Sequence, residues 1–305
     1  MNRPLVTCAL MLLQCGPCVP NVCAHPGAGI VVDRYGTVYF THTGVGVAKI
    51  SRDGILTYIH KAVDGHWMCL DEKGNFSTAQ PTYFERITRD GAKPAILYAG
   101  GGSPIAIGAD GNLYYCGGQH GDPHPGAKTL VRESPQKGQT FFSPNLEDTL
   151  NALHDGITAI AAAPDGGVYV ACWNSLLRVT TEGNVTTLAH PFVVPDCDED
   201  PADHNTANRG IPLLRGIAVD SSGVVYVTAT SCHRVVKITP DGRLETIVKS
   251  ERPWSPTGVA LRNGALYVLE YTHANGPATE GWVPRVRIRE KNGAMITIAD
   301  LSQKK

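Results

Sequence analysis

Six times along this chain an apolar run, a Gly-containing turn and a second apolar run centred on an aromatic residue follow one another. The first copy is Gly29-Ile-Val-Val-Asp-Arg-Tyr-Gly-Thr-Val-Tyr-Phe40, centred on Tyr39, and the aromatic recurs as Phe76, Tyr114, Tyr169, Tyr226 and Tyr267. Each copy leads into a second turn signal, at Asp53-Gly54, Asp90-Gly91, Lys137-Gly138, Glu182-Gly183, Asp241-Gly242 and Asn292-Gly293, with a short apolar run on either side. Such turns join antiparallel strands because Gly, Asn and Asp tolerate positive φ. Four-stranded units that cannot bury both faces alone must pack face to face around an axis. The expected fold is therefore all-β: a six-bladed β-propeller of four-stranded antiparallel blades. A β-sandwich does not require the same two turns six times.

The units run about 29–61, 65–100, 103–154, 156–194, 214–250 and 256–300, so residues 25–305 form one domain. The first unit opens on its inner strand and the last closes on its outer one, so the ring is expected to close by packing, without an exchanged strand. Residues 1–24 differ in kind. Arg3, the apolar stretch Pro4 to Leu13 and the small residues around Val22-Cys23-Ala24 have the pattern of a secretory signal cleaved after Ala24. The mature protein is then expected to be secreted or periplasmic, with no membrane segment. Cleavage would leave Cys69, Cys116, Cys172, Cys197 and Cys232, an odd number, so at least one thiol stays unpaired. Cys197 and Cys232 fall near one rim and are either a disulfide or two buried thiols.

A formal net charge of -1, from 27 basic and 28 acidic residues, does not suit nucleic acid or an anionic membrane as partner, both of which call for a basic excess. The expected ligand is a small molecule and the expected state a monomer, with a protein partner as the alternative. In an up-and-down blade the short Asp-Gly-type turns share one face, and the second-to-third loops and blade crossovers share the other. The long insertions, Gly117–Lys128, Pro195–Leu213 and Thr272–Val283, all fall on that second face. They carry Gln119 to His124, Asp196 to His204, and Thr272-His273, and loops on a rigid scaffold are where function concentrates.

Aligning the units places Ala28, His66, Ser103, Thr158, Arg215 and Thr257 just before the inner strands, at the mouth of the central channel. Four are small. His66 and Arg215 are the exceptions, and an imidazole with a guanidinium can hold an anionic or carbonyl oxygen and move a proton. A second ring, at the ends of the second strands, contains His42, Trp173-Asn174, His233 and Glu270 with His273 after it. Trp173, Asn174 and His273 are expected to touch ligand. Glu270 follows an apolar run, where a carboxylate needs a cation or an ion pair. Glu270, His66 and His233 converging would suit Zn²⁺, and Asn174 would suit Ca²⁺; His66, Arg215 and His233 are the catalytic candidates. The acidic run Asp196, Asp198, Asp200, Asp203 lacks the Gly and the closing Glu of an EF-hand, Pro201 and Ala207 standing in those places. No phosphate loop, dinucleotide fingerprint or serine elbow is present, so no nucleotide or organic cofactor is expected.

Gly216-Ile-Ala-Val-Asp-x-x-Gly-x-Val-Tyr-Val, followed by Arg234-Val-Val-Lys-Ile-Thr-Pro-Asp-Gly242, resembles the NHL repeat and the related six-bladed SMP-30/gluconolactonase and strictosidine synthase-like propellers. Gly156-Ile-Thr-Ala-Ile-Ala-Ala-Ala-Pro-Asp-Gly166 is similar to the virginiamycin B lyase-like propellers. The resemblance implies a channel-mouth site and a metal-assisted hydrolase of lactonase type or a lyase; a non-catalytic binding propeller is the alternative. SMP-30-like lactonases hold a cation with Glu, Asn and Asp before the inner strands, where this chain has His66, Ser103, Thr158, Arg215 and Thr257. NHL-type amidating lyases combine zinc histidines with Arg and Tyr, a scheme that His66 and Arg215 match in part.

Overall fold

A computed structural model describes residues 26–61, 65–76, 84–88, 94–100, 104–116, 129–143, 145–197, 210–273 and 281–303. The expected leader, Ser103 and the insertion segments 117–128, 198–209 and 274–280 lie outside the described residues. Six sheets follow one another along the chain, one per blade, and together make a six-bladed β-propeller. The first blade is β1 (Ile30–Val32), β2 (Val38–His42), β3 (Gly46–Ile50) and β4 (Leu56–His60). The second holds β5 (Gly65–Asp71), β6 (Glu85–Arg86) and β7 (Ala95–Gly100), and the third β8 (Ile105–Ile107), β9 (Leu113–Cys116), β10 (Leu130–Ser134) and β11 (Gly138–Phe141). After α1 (Leu146–Leu153), the fourth comprises β12 (Ile157–Ala162), β13 (Val168–Cys172), β14 (Leu176–Val179) and β15 (Val185–Ala189). The fifth comprises β16 (Leu214–Val219), β17 (Val225–Ala229), β18 (Arg234–Ile238) and β19 (Leu244–Lys249), and the sixth β20 (Ser255–Arg262), β21 (Ala265–His273), β22 (Trp282–Arg289) and β23 (Met295–Asp300).

The recurring aromatic has a physical reason. In the first blade the Asp33 carboxylate accepts the backbone N–H groups of Tyr35 and Thr37, and the Tyr39 hydroxyl donates to its other oxygen at 3.2 Å. Tyr226 with Asp220 (3.4 Å) repeats the arrangement, and in the third blade a carboxylate two residues further along the turn, Asp110, reaches Tyr114 at 2.7 Å. The aromatic thus ties the second strand to the turn that precedes it, while its ring packs between blades. Burial, reinforced by the carboxylate, pushes the Tyr39 and Tyr114 hydroxyls up to about 12. Middle strands such as β13 are buried on both faces, whereas outer strands such as β4, β15 and β23 have no fully buried residue.

Two features depart from the expected repeat. In the second blade the sheet order is β5-β7-β6, so the place beside the inner strand goes to Ala95–Gly100 and not to the segment at Phe76. That place is enclosed by neighbouring blades and takes the longest apolar run of the unit, Ala-Ile-Leu-Tyr-Ala, all of it buried. The third unit closes with α1, where Leu146 and Leu150, one turn apart, are buried, Glu147 and Asp148 occupy the first turn, and His154 ends the helix at φ 52°. The ring closes as expected, every sheet being built from its own strands. Across the seam Thr257 donates to the Gly27 carbonyl at 2.7 Å and the Tyr271 hydroxyl to that of Thr41. Among the described residues no helix is long and apolar enough to cross a membrane.

Candidate functional site

Four inner strands are irregular at one place. Pairing register slips at His66 in β5, Thr158 in β12, Arg215-Gly216 in β16 and Thr257 in β20. These are the positions that alignment of the repeats placed at the channel mouth. A bulge leaves a residue out of the ladder and re-aims its side chain. Beside the bulges the backbones come close. A Cβ on Gly216 would lie 2.6 Å from the Thr257 carbonyl oxygen, and one on Gly258 2.3 Å from that of Ala28, so only glycine fits.

A closed circuit of contacts shows that these residues share one mouth. The Trp67 indole donates to the Thr158 carbonyl at 2.9 Å, reaching from the second blade to the fourth past the end of the third. Two residues before Thr158, the Gly156 carbonyl accepts the Trp173 N–H at 3.2 Å, and the Trp173 carbonyl accepts that of Leu214 at 3.1 Å. The Arg215 side chain donates from Nη1 to the Pro26 carbonyl at 3.0 Å. The Ala28 N–H donates to the His66 carbonyl at 2.8 Å, and the His66 ring meets Trp67 edge to face at 5.3 Å. Burial lowers Arg215 to about 10, so it remains a cation at neutral pH.

Trp173 is half exposed, and its ring lies over Gly156, where an added Cβ would meet it at 3.7 Å. Its turn is held by the buried Asp155 carboxylate, which accepts the N–H groups of Gly156 (2.8 Å) and Asn174 (3.1 Å) and the Ser175 hydroxyl (2.6 Å). Asn174 belongs to the same support, its Oδ1 accepting the Phe192 N–H at 3.3 Å. His273 ends the β21 pairing opposite Trp282, and its side chain lies outside the described residues.

The expected convergence of Glu270 and His233 with His66 is not what the contacts describe. Glu270 is fully buried between the fifth and sixth blades, where it accepts Arg285 Nε at 2.7 Å, Arg287 Nη2 at 2.5 Å and the Ser250 hydroxyl at 2.5 Å. The need for compensation is legible in the sequence, but it is met by ion pairs with Arg285 and Arg287, fifteen and seventeen residues on in the facing strand. A divalent cation at Glu270 would lie against two guanidinium groups, so these residues do not fit a metal. His233 stands in the turn after β17 with φ 55°, its Nδ1 bonded to the Trp254 carbonyl at 2.8 Å and 3.1 Å from the Ser255 hydroxyl. It ties together the fifth and sixth blades. Among the described residues no group of three His, Cys, Asp or Glu side chains is placed to hold a metal.

Trp67 was not singled out from sequence, although a signal existed. The residue after the mouth position is small or Pro in the other five units (Gly29, Pro104, Ala159, Gly216, Gly258) and Trp only here.

No family model and no curated protein matches the chain. Solved structures do. Virginiamycin B lyase from Staphylococcus aureus aligns over 92% of this chain and 85% of its own at 15% identity and TM-score 0.50. A luciferin-regenerating enzyme aligns over 86% and 91% at 17% and 0.52, and a gluconolactonase from Xanthomonas campestris over 81% and 84% at 15% and 0.50. The chain shares the β-propeller fold of these proteins. At these identities the likeness concerns the fold.

Proposed function

We propose that the protein is an exported propeller that holds a small polar or anionic ligand at the looped mouth of its channel, with Arg215 as the anion-binding group. The observation that carries this reading is the bulge that sets a partly buried guanidinium at the mouth, within one circuit of contacts with His66, Trp67 and Trp173. A planar guanidinium offers several N–H donors to a carboxylate or phosphate, and the Pro26 carbonyl orients it. The near-neutral chain gives a small ligand priority over a polyanion, and a monomer suffices, because the contacts that surround the mouth come from one chain. The Cys197–Cys232 bridge supports export, since such bonds persist in oxidising compartments. The mass of secreted protein should correspond to a chain beginning at His25.

Calorimetric titration with acetate and inorganic phosphate tests the site. Arg215→Gln should weaken binding by about 10–100-fold, the worth of a charge-assisted hydrogen bond of about 1.5–3 kcal/mol; unchanged affinity would remove Arg215 from the site. Turnover by a hydrolase or lyase would need proton transfer, and His66 is the imidazole at the mouth. Lactone hydrolysis that is lost in His66→Gln while binding persists would establish catalysis; no turnover would leave a binding propeller.

A further inference from the structure

We infer that the ligand of this mouth is a flat, conjugated or aromatic carboxylate, held with its ring against Trp67 and Trp173 and its charge toward Arg215. The inference rests on the anion-binding reading of Arg215 and goes beyond it by naming the ligand's shape. Its ground is the placement of the two indoles. Trp67 takes the position that is small or Pro in every other unit, and its ring crosses from the second blade to the Thr158 carbonyl on the fourth. Trp173 stands at the end of β13 with half its surface exposed, and its ring leans over Gly156, two residues from Thr158. Both rings therefore lie beside the start of β12, at Gly156 and Thr158.

The Trp67 ring and the turn that carries Trp173 are both anchored. The Trp67 N–H is engaged by a carbonyl, and the Trp173 backbone is bonded on both sides, to Gly156 and Leu214, with Asp155 fixing the turn. An exposed, oriented indole presents a π-face that favours a planar ring over a puckered one of the same size. The Trp173 carbonyl is bonded to the residue immediately before Arg215, so the platform and the cation are neighbours along the rim. A ligand matching both carries its negative charge directly on, or one bond from, a planar ring.

Calorimetry with benzoate, cyclohexanecarboxylate and benzamide separates the parts. Benzoate should bind about tenfold tighter than cyclohexanecarboxylate, the equivalent of one aromatic stack. Trp173→Ala should remove that preference, Trp173→Phe should retain it, and benzoate should quench tryptophan fluorescence in the parent protein. Equal affinity for benzoate and cyclohexanecarboxylate would overturn the planar-ring assignment while leaving the anion site standing. Benzamide binding as tightly as benzoate would overturn the anion-binding reading while leaving the ring platform. Binding of none of the three at millimolar concentration would overturn both.

Discussion

Replacing Glu270 by Gln changes one atom and removes the charge on which the junction between the fifth and sixth blades depends. Glu270 is fully buried, as nearly are Arg285 and Arg287, and its two oxygens divide between those guanidinium groups at 2.7 and 2.5 Å. The other carboxylate at the cluster, Glu251, is itself largely exposed, although it reaches Arg285 at 2.5 Å and Arg287 at 3.5 Å. With Gln at 270, two buried cations share one solvated partner. Removing one member of a buried ion pair typically destabilises by about 3–5 kcal/mol, because the remaining charge is left without compensation. For a domain of this size that corresponds to a fall in Tm of about 6–15 °C. Urea and thermal unfolding of parent and Glu270→Gln measure it directly. The triple change Glu270→Leu, Arg285→Met, Arg287→Leu should recover much of the loss, since apolar residues of similar volume need no charge compensation. A Glu270→Gln protein within about 0.5 kcal/mol of the parent would show that the cluster is hydrated and that the reasoning from burial is wrong. Metal content, measured alongside, should be the same in both proteins.

Reducing the Cys197–Cys232 bridge, which spans 35 residues of chain, should lower stability by about 4 kcal/mol through the freedom restored to the unfolded chain; a reductant that leaves Tm unchanged would count against the bridge. The Asp220 carboxyl lies below its ordinary value: burial alone would raise it, but hydrogen bonds from Ser222, Val224 and Tyr226 outweigh that. A depressed carboxyl stabilises the fold above its unfolded value, about pH 4, and the contribution is lost as pH falls through the folded value. Asp220→Asn should therefore flatten the acid side of the urea-midpoint profile, and an unchanged slope would refute the assignment.

Much of the fold was legible because a propeller repeats its local chemistry. Asp33 with Tyr39 and Asp220 with Tyr226 form the same turn lock six residues apart, and Asp110 reaches Tyr114 from four residues away, so each lock is local in the sequence. The mouth positions were legible for the same reason, since His66, Thr158, Arg215 and Thr257 occupy one place in a repeated unit. The second blade was not, because its strand order depends on which apolar run wins an enclosed position, a competition that pattern alone does not rank. The helix α1 was missed as well, its two buried leucines being too short a signal beside a strand repeat.

The sequence by itself determined the number of blades and the shared place of His66, Thr158, Arg215 and Thr257 in the repeated unit, because these follow from spacing within a repeat. Only the tertiary structure decided the partners. Glu270 and Arg287 lie on facing strands, His233 meets the Trp254 carbonyl across a blade boundary, and Trp67 finds Thr158 across 91 residues of chain. Charge and hydrogen-bond compensation in a buried interior is satisfied by whichever group the packing brings within about 3 Å, and distance along the chain carries no record of that.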